Sequence, residues 1–300
     1  MNVIDCKGLT KVYGRTKALN QLSFTIEENK ITGLIGRNGA GKTTLLKIIG
    51  GFMRGTSGEV RVFSEEPFNN LFVSANVIFI NDQMNFPTAL SLKEILNVAA
   101  TFYENWNHEL ANRLFDYFSF HQDHQYTGLS KGMKSTFNMI VGLSARCALT
   151  MFDEPTTGMD AAVRKDFYRA LLKDFIAYPR TIILSSHHLN EIEDLLEDIL
   201  LLKNGKEHLH IPIADLKEWA IGIEGLTANV NEWIGEREVI HLKNIGHDRM
   251  FAVVRNNFSE YEKQKAREAG LTFSPVSSSD ICVYLTSKTK GGIDDVFIKD

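Results

Sequence analysis

Gly36-Arg37-Asn38-Gly39-Ala40-Gly41-Lys42-Thr43 follows the apolar run Ile31-Thr32-Gly33-Leu34-Ile35 and precedes Thr44-Leu45-Leu46-Lys47-Ile48-Ile49. It fits G-x-x-x-x-G-K-[ST] at every fixed position. A buried strand that turns sharply into a helix, with its N–H groups pointing inward, needs glycines that tolerate the turn without a Cβ clash. Such a turn is an anion nest. The helix starting near Gly41 presents unpaired N–H groups and a positive dipole end, Lys42 can reach β- and γ-phosphates, and the Thr43 hydroxyl can bind Mg²⁺. Together these features favour a nucleoside triphosphate, and the flanking strand and helical apolar pattern argue against a chance glycine-rich turn.

At 300 residues the chain has length for one large α/β domain and a smaller one. Hydrophobic content of 44%, charged content of 23% and six prolines describe an ordered globular protein. A net charge of -4 lacks the basic excess of a nucleic-acid binder, so no direct nucleic-acid binding is expected. Cys6, Cys147 and Cys282 are scattered, odd in number and without metal-ligand spacing, and read as reduced thiols of a cytosolic protein. The N-terminus has no basic segment followed by an apolar one, and no apolar run approaches the ~18 residues of a membrane span. Any span is expected on other chains.

Residues 2–32 read as a β layer ahead of the nucleotide strand, with short strands at 2–6 and 22–26 around a turn-rich segment at 11–15. Tyr13 sits on that turn, where its ring can stack on a purine or simply pack. Strands follow at 59–63 and 77–80, the second ending in Asn81-Asp82-Gln83, polar groups at the end of a core strand and so site candidates. Ser91 opens a capping-box pattern, and helices at 91–102, 107–118 and 133–148 predict a helical insertion over about 85–147. Its aromatics Trp106, Phe115, Tyr117, Phe118 and Phe120 read as core, with a partner surface as the second reading.

The buried strand at 149–152 ends in Asp153 and Glu154. Before a proline that pair suits an ordinary turn, but beside a phosphate loop the first carboxylate suits Mg²⁺ and the second can orient a water. After a helix at 161–177, the strand from Thr181 ends in Ser185-Ser186-His187-His188; residue chemistry alone does not separate the two histidines. Asn204-Gly205 closes a hairpin and marks the end of a first domain, 1–206. In 207–300 the βαββαβ order over 220–275 predicts a small ferredoxin-like α+β sandwich, with a terminal strand and tail over 280–300.

Residues 1–206 resemble the ATP-binding subunit of an ABC transporter, with six motifs in the family's order. Residues 36–43 with Thr44 resemble its Walker A loop. Gln83 resembles the Q-loop glutamine, which the family places at the nucleotide and the metal. Residues 129–133, Leu-Ser-Lys-Gly-Met, resemble its LSGGQ signature, and 149–154 its Walker B strand, with Asp153 on the metal and Glu154 catalytic. Gly158-Met159-Asp160 resembles the D-loop, His187 the catalytic switch histidine, and Tyr13 falls at the adenine-stacking aromatic. Lys131 and Met133 depart from the signature, while Ser130 and Gly132, which face the γ-phosphate in the family, are kept. The lysine adds positive charge near a phosphate and implies altered affinity rather than lost function.

The signature wording, the segment Asp-Glu-Pro-Thr-Thr-Gly-Met-Asp and the C-terminal extension resemble the YtrB-like ATPases of bacterial ABC-2 type exporters. The resemblance implies a P-loop NTPase core that binds ATP and Mg²⁺ and hydrolyses ATP. It implies head-to-tail pairing with a second copy or a related ATPase subunit, and transmembrane permease subunits docked beside residues 84–87 and the helices after Ser91. The location implied is cytoplasmic, peripheral on the inner face of the cell membrane. The alternative is a soluble ABC ATPase acting on DNA or ribosomes without a membrane partner, a class with coiled-coil insertions or tandem ATPase domains that this chain lacks. A nucleotide sensor that never hydrolyses is disfavoured because Glu154 and His187 are both present.

Overall fold

The computed structural model describes residues 1–235 and 237–287. They fall into two compact units, the first Met1–His210 and the second beginning at Ile211. In chain order the first holds β1 (Asn2–Tyr13), β2 (Thr16–Glu27), β3 (Ile31–Ile35), α1 (Lys42–Ile49), β4 (Ser57–Val62), α2 (Leu71–Asn76) and β5 (Val77–Ile80). It continues with α3 (Leu92–Phe102), α4 (His108–Tyr117), α5 (Lys131–Ala145), β6 (Leu149–Asp153), α6 (Ala161–Ala177), β7 (Thr181–Ser186), β8 (Asp198–Lys203) and β9 (Lys206–Pro212).

The larger sheet is ordered β5-β6-β7-β3-β8-β9, and its first five strands pair in parallel. Every residue of β3, β5, β6 and β7 is buried. Burial on both faces explains why these strands read as apolar runs instead of alternating ones. The smaller antiparallel sheet, β2-β1-β4, shares one core with α1 and the larger sheet. Ile4, Leu22 and Ile26 meet Leu45, Leu46 and Ile49 there, with Met151, Ile183 and Leu200 below. On the opposite face Gly142 of α5 brings that helix so close that a Cβ would stand 2.7 Å from Ile80 and 2.8 Å from Phe152.

The short strands expected at 2–6 and 22–26 are two strands of 12 residues each. Register shifts between Cys6 and Leu9, and again before Lys11 and Val12, interrupt the alternation, so period-two patterning dies in mid-strand. The turn shrinks to Gly14 and Arg15. The helix expected at 133–148 begins at Lys131 and stops at Ala145, where Arg146 turns left-handed with φ 46°. Ser91 caps α3 in a full capping box with Glu94. Of the aromatic cluster, Phe115 packs on Phe120 and Phe120 on Phe137, whereas Tyr117 is 63% exposed and donates its hydroxyl to Asp166 at 2.8 Å.

All three cysteines are buried, and burial pushes the Cys6 and Cys147 thiols up to about 12. Such thiols stay protonated and unreactive near neutral pH. Among the described residues no helix is long and apolar enough to cross a membrane.

The second unit contains α7 (Ile213–Trp219), β10 (Ala220–Leu226), α8 (Thr227–Ile234), β11 (Val239–Asn244), β12 (Arg249–Arg255), α9 (Glu260–Glu268), β13 (Thr272–Pro275) and α10 (Ser278–Thr286). Its antiparallel sheet is ordered β11-β12-β10-β13. Ile223, Val230, Ala252, Val254, Ala266 and Leu271 form the core under it. Helices α7 and α10 lie outside the expected βαββαβ order. Where a terminal strand and tail are expected over 280–300, Ser277 caps the helix α10 in place of a strand, and 288–300 lie outside the described residues.

The tip of the β8–β9 hairpin sits under the phosphate loop. Gly205 N–H donates to Ala40 O at 3.0 Å, and Asn20 N–H donates to Gly205 O at 2.8 Å. A Cβ on Gly205, where φ is 73°, would stand 2.5 Å from Ala18 O. Gly205→Ala should therefore lower stability by about 1–3 kcal/mol through left-handed strain and the clash. A urea titration should show an earlier midpoint at unchanged slope; an unchanged midpoint would mean that this approach is not tight.

Candidate active site

Parallel pairing makes the strands end at one edge of the sheet, with Ile35 opposite Ser186, Asp153 opposite Ser185 and Ile80 opposite Phe152. The loop at 36–43, the carboxylates after β6, the histidines after β7 and the polar end of β5 thus emerge together, at the carboxyl ends where open α/β sheets build sites.

The loop carries Gly39 and Gly41 at φ 81° and 108°. Ala40 N–H closes its turn onto Arg37 O at 3.0 Å, and a Cβ on Gly36 would stand 2.7 Å from Leu202 O. Gly41 leads into α1 with no side-chain cap and no acidic residue in the first turn, which leaves the helix start positive. Lys42 is only 6% exposed. Its Nζ donates to Gly36 O at 2.7 Å and lies 3.3 Å from Glu154 Oε1. Thr43 Oγ1 donates to Asp153 Oδ2 at 2.6 Å.

Glu154 faces the Lys42 ammonium and the His187 imidazole. Its other oxygen, Oε2, is 2.5 Å from His187 Nδ1. The structure separates the histidines: His188 packs its ring on His187 at 3.9 Å and gives its N–H to Ser186 Oγ at 2.9 Å. Glu154 itself sits at φ 49°, a left-handed conformation costing about 1–3 kcal/mol in a residue other than glycine. Thr157 braces it, its hydroxyl and N–H reaching Glu154 O at 2.8 and 3.2 Å.

The donors at Thr43 and Asp153 are hard oxygens, which suit Mg²⁺. Among the described residues no three His, Cys, Asp or Glu side chains gather into a metal cage. Gln83 is placed differently from Thr43 and Asp153: its Oε1 accepts from Lys47 Nζ at 3.2 Å, further along α1, and no bond joins it to either residue. Asn138 of α5 donates to Asn81 O and Tyr126 to Met84 O, both at 3.3 Å, tying the Gln83 loop to the helical insertion. Tyr13 ends β1 at 46% exposure, its hydroxyl on Met53 Sδ at 3.0 Å and Lys11 Nζ 5.3 Å from its ring centre.

Ser130 caps α5, accepting from Met133 N–H at 3.3 Å, and Asp160 caps α6, accepting from Ala162 and Val163 N–H at 2.9 Å. Gly132 has a role within its own chain that the motif does not reveal. A Cβ there would stand 2.3 Å from Gly158 O, and next to it Ser135 Oγ donates to Thr157 O at 2.8 Å. The signature helix and the 157–160 loop are therefore one packed unit. Ser135, Thr157 and Ser185 were missed in the sequence, whose only hint was polar residues at element ends.

A phosphate loop, an adjoining carboxylate pair and a histidine at one edge of a parallel sheet define a P-loop nucleotide hydrolase. The ABC transporter family profile matches residues 19–157. The chain is 29% identical over 245 residues to the ABC transporter ATP-binding protein YtrB of Bacillus subtilis (strain 168), covering 81% of this chain and 84% of that protein. It is 30% identical over 219 residues to the bacitracin transport ATP-binding protein BcrA of Bacillus licheniformis, covering 72% of each. Its fold is similar to that of an ABC transporter ATP-binding subunit, with TM-score 0.64, 23% identity and coverage of 72% and 92%. It is also similar to a dimeric ATP-binding cassette in a post-hydrolysis state bound to ADP and Pi, with TM-score 0.62, 21% identity and coverage of 70% and 98%. The chain belongs to the ATP-binding proteins of ABC transporters and is an ABC-type ATPase.

Gly132→Ala should drive the start of α5 away from Gly158 and cost about 1–3 kcal/mol, the usual price of overpacking. Chemical denaturation measures it; wild-type stability would mean that the two segments separate freely.

Proposed function

We propose that this chain hydrolyses ATP with Mg²⁺ to drive transport through separate transmembrane permease subunits, working as a head-to-tail pair with a second copy or a related ATPase subunit. The observation that carries the reading is the Glu154 carboxylate held between Lys42 at 3.3 Å and His187 at 2.5 Å, beside Asp153 on Thr43. Backbone N–H groups from Gly36, Arg37, Asn38, Gly39, Ala40 and Gly41, with Lys42, Thr43 and Thr44, hold the phosphates. Thr43 Oγ1 and Asp153 Oδ2 would hold Mg²⁺, which when bound would supply positive charge to offset that on the phosphoryl oxygens.

When Lys42 turns to the phosphates, Glu154 Oε1 is released to accept a proton from the attacking water, while His187 keeps Oε2 in place. Gln83 would offer the cation the same Oε1 that now accepts from Lys47. Tyr13 stacks on adenine. Ser130 and Gly132, with Lys131 beside them at the start of α5, face the phosphates of the partner's nucleotide. Docking of permease beside residues 84–87 and α3 is supported by Phe102, 71% exposed there. Attachment would be peripheral, at the cytoplasmic face of the membrane.

The second unit reads as a ferredoxin-like accessory domain, supported by its βαββαβ order and by a sheet in which the first and third strands are central. Every proposed catalytic residue lies before Ile211, so a chain ending at His210 that folds and binds ATP should turn it over. Binding without turnover would count against the accessory role.

Glu154→Gln keeps shape and hydrogen bonding and removes the charge that polarises the water. Turnover should fall about 10²- to 10⁴-fold with nucleotide binding retained. Blocked hydrolysis should leave the pair closed, because a ligand bound by the dimer stabilises it by mass action. Light scattering at high protein concentration should show a dimer in ATP and Mg²⁺ and a monomer in ADP. Turnover at the wild-type rate would remove Glu154 from catalysis, and a monomer in saturating ATP would overturn the pairing.

A further inference from the structure

We infer that Ser185 is a positioning residue for ATP hydrolysis, one hydroxyl holding the carboxylate of Asp153 and the backbone of Glu154. It lies on β7 directly opposite Asp153 and is 1% exposed. Ser185 Oγ donates to Asp153 Oδ1 at 2.5 Å and accepts from Glu154 N–H at 3.1 Å. The two roles cannot be exchanged. An ionised carboxylate only accepts and a backbone N–H only donates, so the single hydroxyl proton is committed to Asp153.

The consequences differ for the two acids. Asp153 is gripped at both oxygens, Oδ1 by Ser185 and Oδ2 by Thr43, so its carboxylate plane is set against the start of α1. Glu154 is gripped through its backbone, at a residue strained to φ 49°. Its N–H is shared between Ser185 Oγ at 3.1 Å and Ser185 O at 3.3 Å, and the hydroxyl offers the shorter contact. Ser186, the next residue, does neither. Its Oγ accepts from His188 N–H and donates to His188 O, so it serves the turn that carries the histidines. Only one of the two consecutive serines is thus tied to the carboxylates.

The inference rests on the roles proposed for Asp153 and Glu154. In Ser185→Ala, Asp153 Oδ1 loses its donor and the carboxylate can rotate away from the cation position. Glu154 N–H keeps only the longer carbonyl contact. The Mg²⁺ concentration giving half-maximal turnover should rise roughly 10- to 100-fold, the usual effect of removing a partner that orients a metal-ligating group. The same rise should appear without catalysis, in a Mg²⁺ titration of the protein's thermal midpoint with a non-hydrolysable ATP analogue. Binding of a fluorescent ATP analogue in EDTA should be unchanged, because Ser185 bonds to no residue of the phosphate loop. Ser185→Cys keeps the shape with a weaker donor and should fall between Ser185→Ala and wild type.

Unshifted Mg²⁺ dependence in Ser185→Ala overturns the inference. So does a parallel fall in thermal midpoint and in Mg²⁺-free nucleotide affinity, which would mark a merely structural serine. Glu154→Gln run alongside keeps the two readings apart. If it is inactive while Ser185→Ala matches wild type, only the inference about Ser185 fails; if both match wild type, the proposed site itself fails.

Discussion

A buried ammonium sets the terms for the site around it. Lys42 Nζ is almost fully withdrawn from water, and an uncompensated charge there would cost several kcal/mol. Without nucleotide the compensation is internal, from the Gly36 carbonyl and the Glu154 carboxylate. Phosphate oxygens are the natural substitutes for both, since they also bring negative charge to the same end of α1. The residue proposed to bind phosphate and the residue proposed to activate water are thus in contact, Lys42 Nζ lying 3.3 Å from Glu154 Oε1. In the proposed mechanism Glu154 is not free for chemistry while it serves as the counter-ion of Lys42, so phosphate in the loop would be the condition for its release.

That coupling works only if the loop, the carboxylates and the histidine are held at fixed separations, and close backbone packing holds them. Gly41 and Gly205 both press on Ala18 O, so the phosphate loop, the β8–β9 hairpin and β2 meet at one atom. Gly132 presses on Gly158 O in the same manner and joins the signature helix to the loop after Glu154. Each contact excludes a Cβ, and each links segments far apart in sequence. Interiors packed this tightly respond to a shift by moving as units instead of yielding locally.

What could be read from the sequence follows the range of the forces involved. The strand at Val77–Ile80, the helix at Ala161–Ala177 and the Ser91 capping box are local, and their residues carry the whole signal. The bulged middles of β1 and β2 were illegible because each register shift depends on the opposite strand. The pairing of Asp174 with both Arg146 and Arg180, at 2.7 and 2.9 Å, was illegible for the same reason. In the site the phosphate loop was legible residue by residue, whereas His187 was distinguished from His188 only through the family resemblance, and its contact with Glu154 was not legible. Gly132 was legible as part of a motif, but its contact with Gly158 was not.

The strain at Glu154 has a physical reason in the adjacency of the two acids. Two neighbouring carboxylates facing one cavity would repel and raise each other's affinity for protons. Strand alternation turns successive side chains to opposite sides, and the left-handed turn at Glu154 ends β6 immediately after Asp153. Asp153 is then left among hydroxyls, which hold a carboxylate without neutralising it, and Glu154 beside the Lys42 ammonium, which balances its charge, and the His187 ring, which holds its other oxygen. A hard cation needs the first environment, where the full negative charge remains available to it. A proton acceptor needs the second, in which its charge is balanced until a phosphate takes the lysine away. The distortion of one backbone residue, offset by hydrogen bonds from Thr157 and to Ser185, lets a two-residue sequence supply both environments.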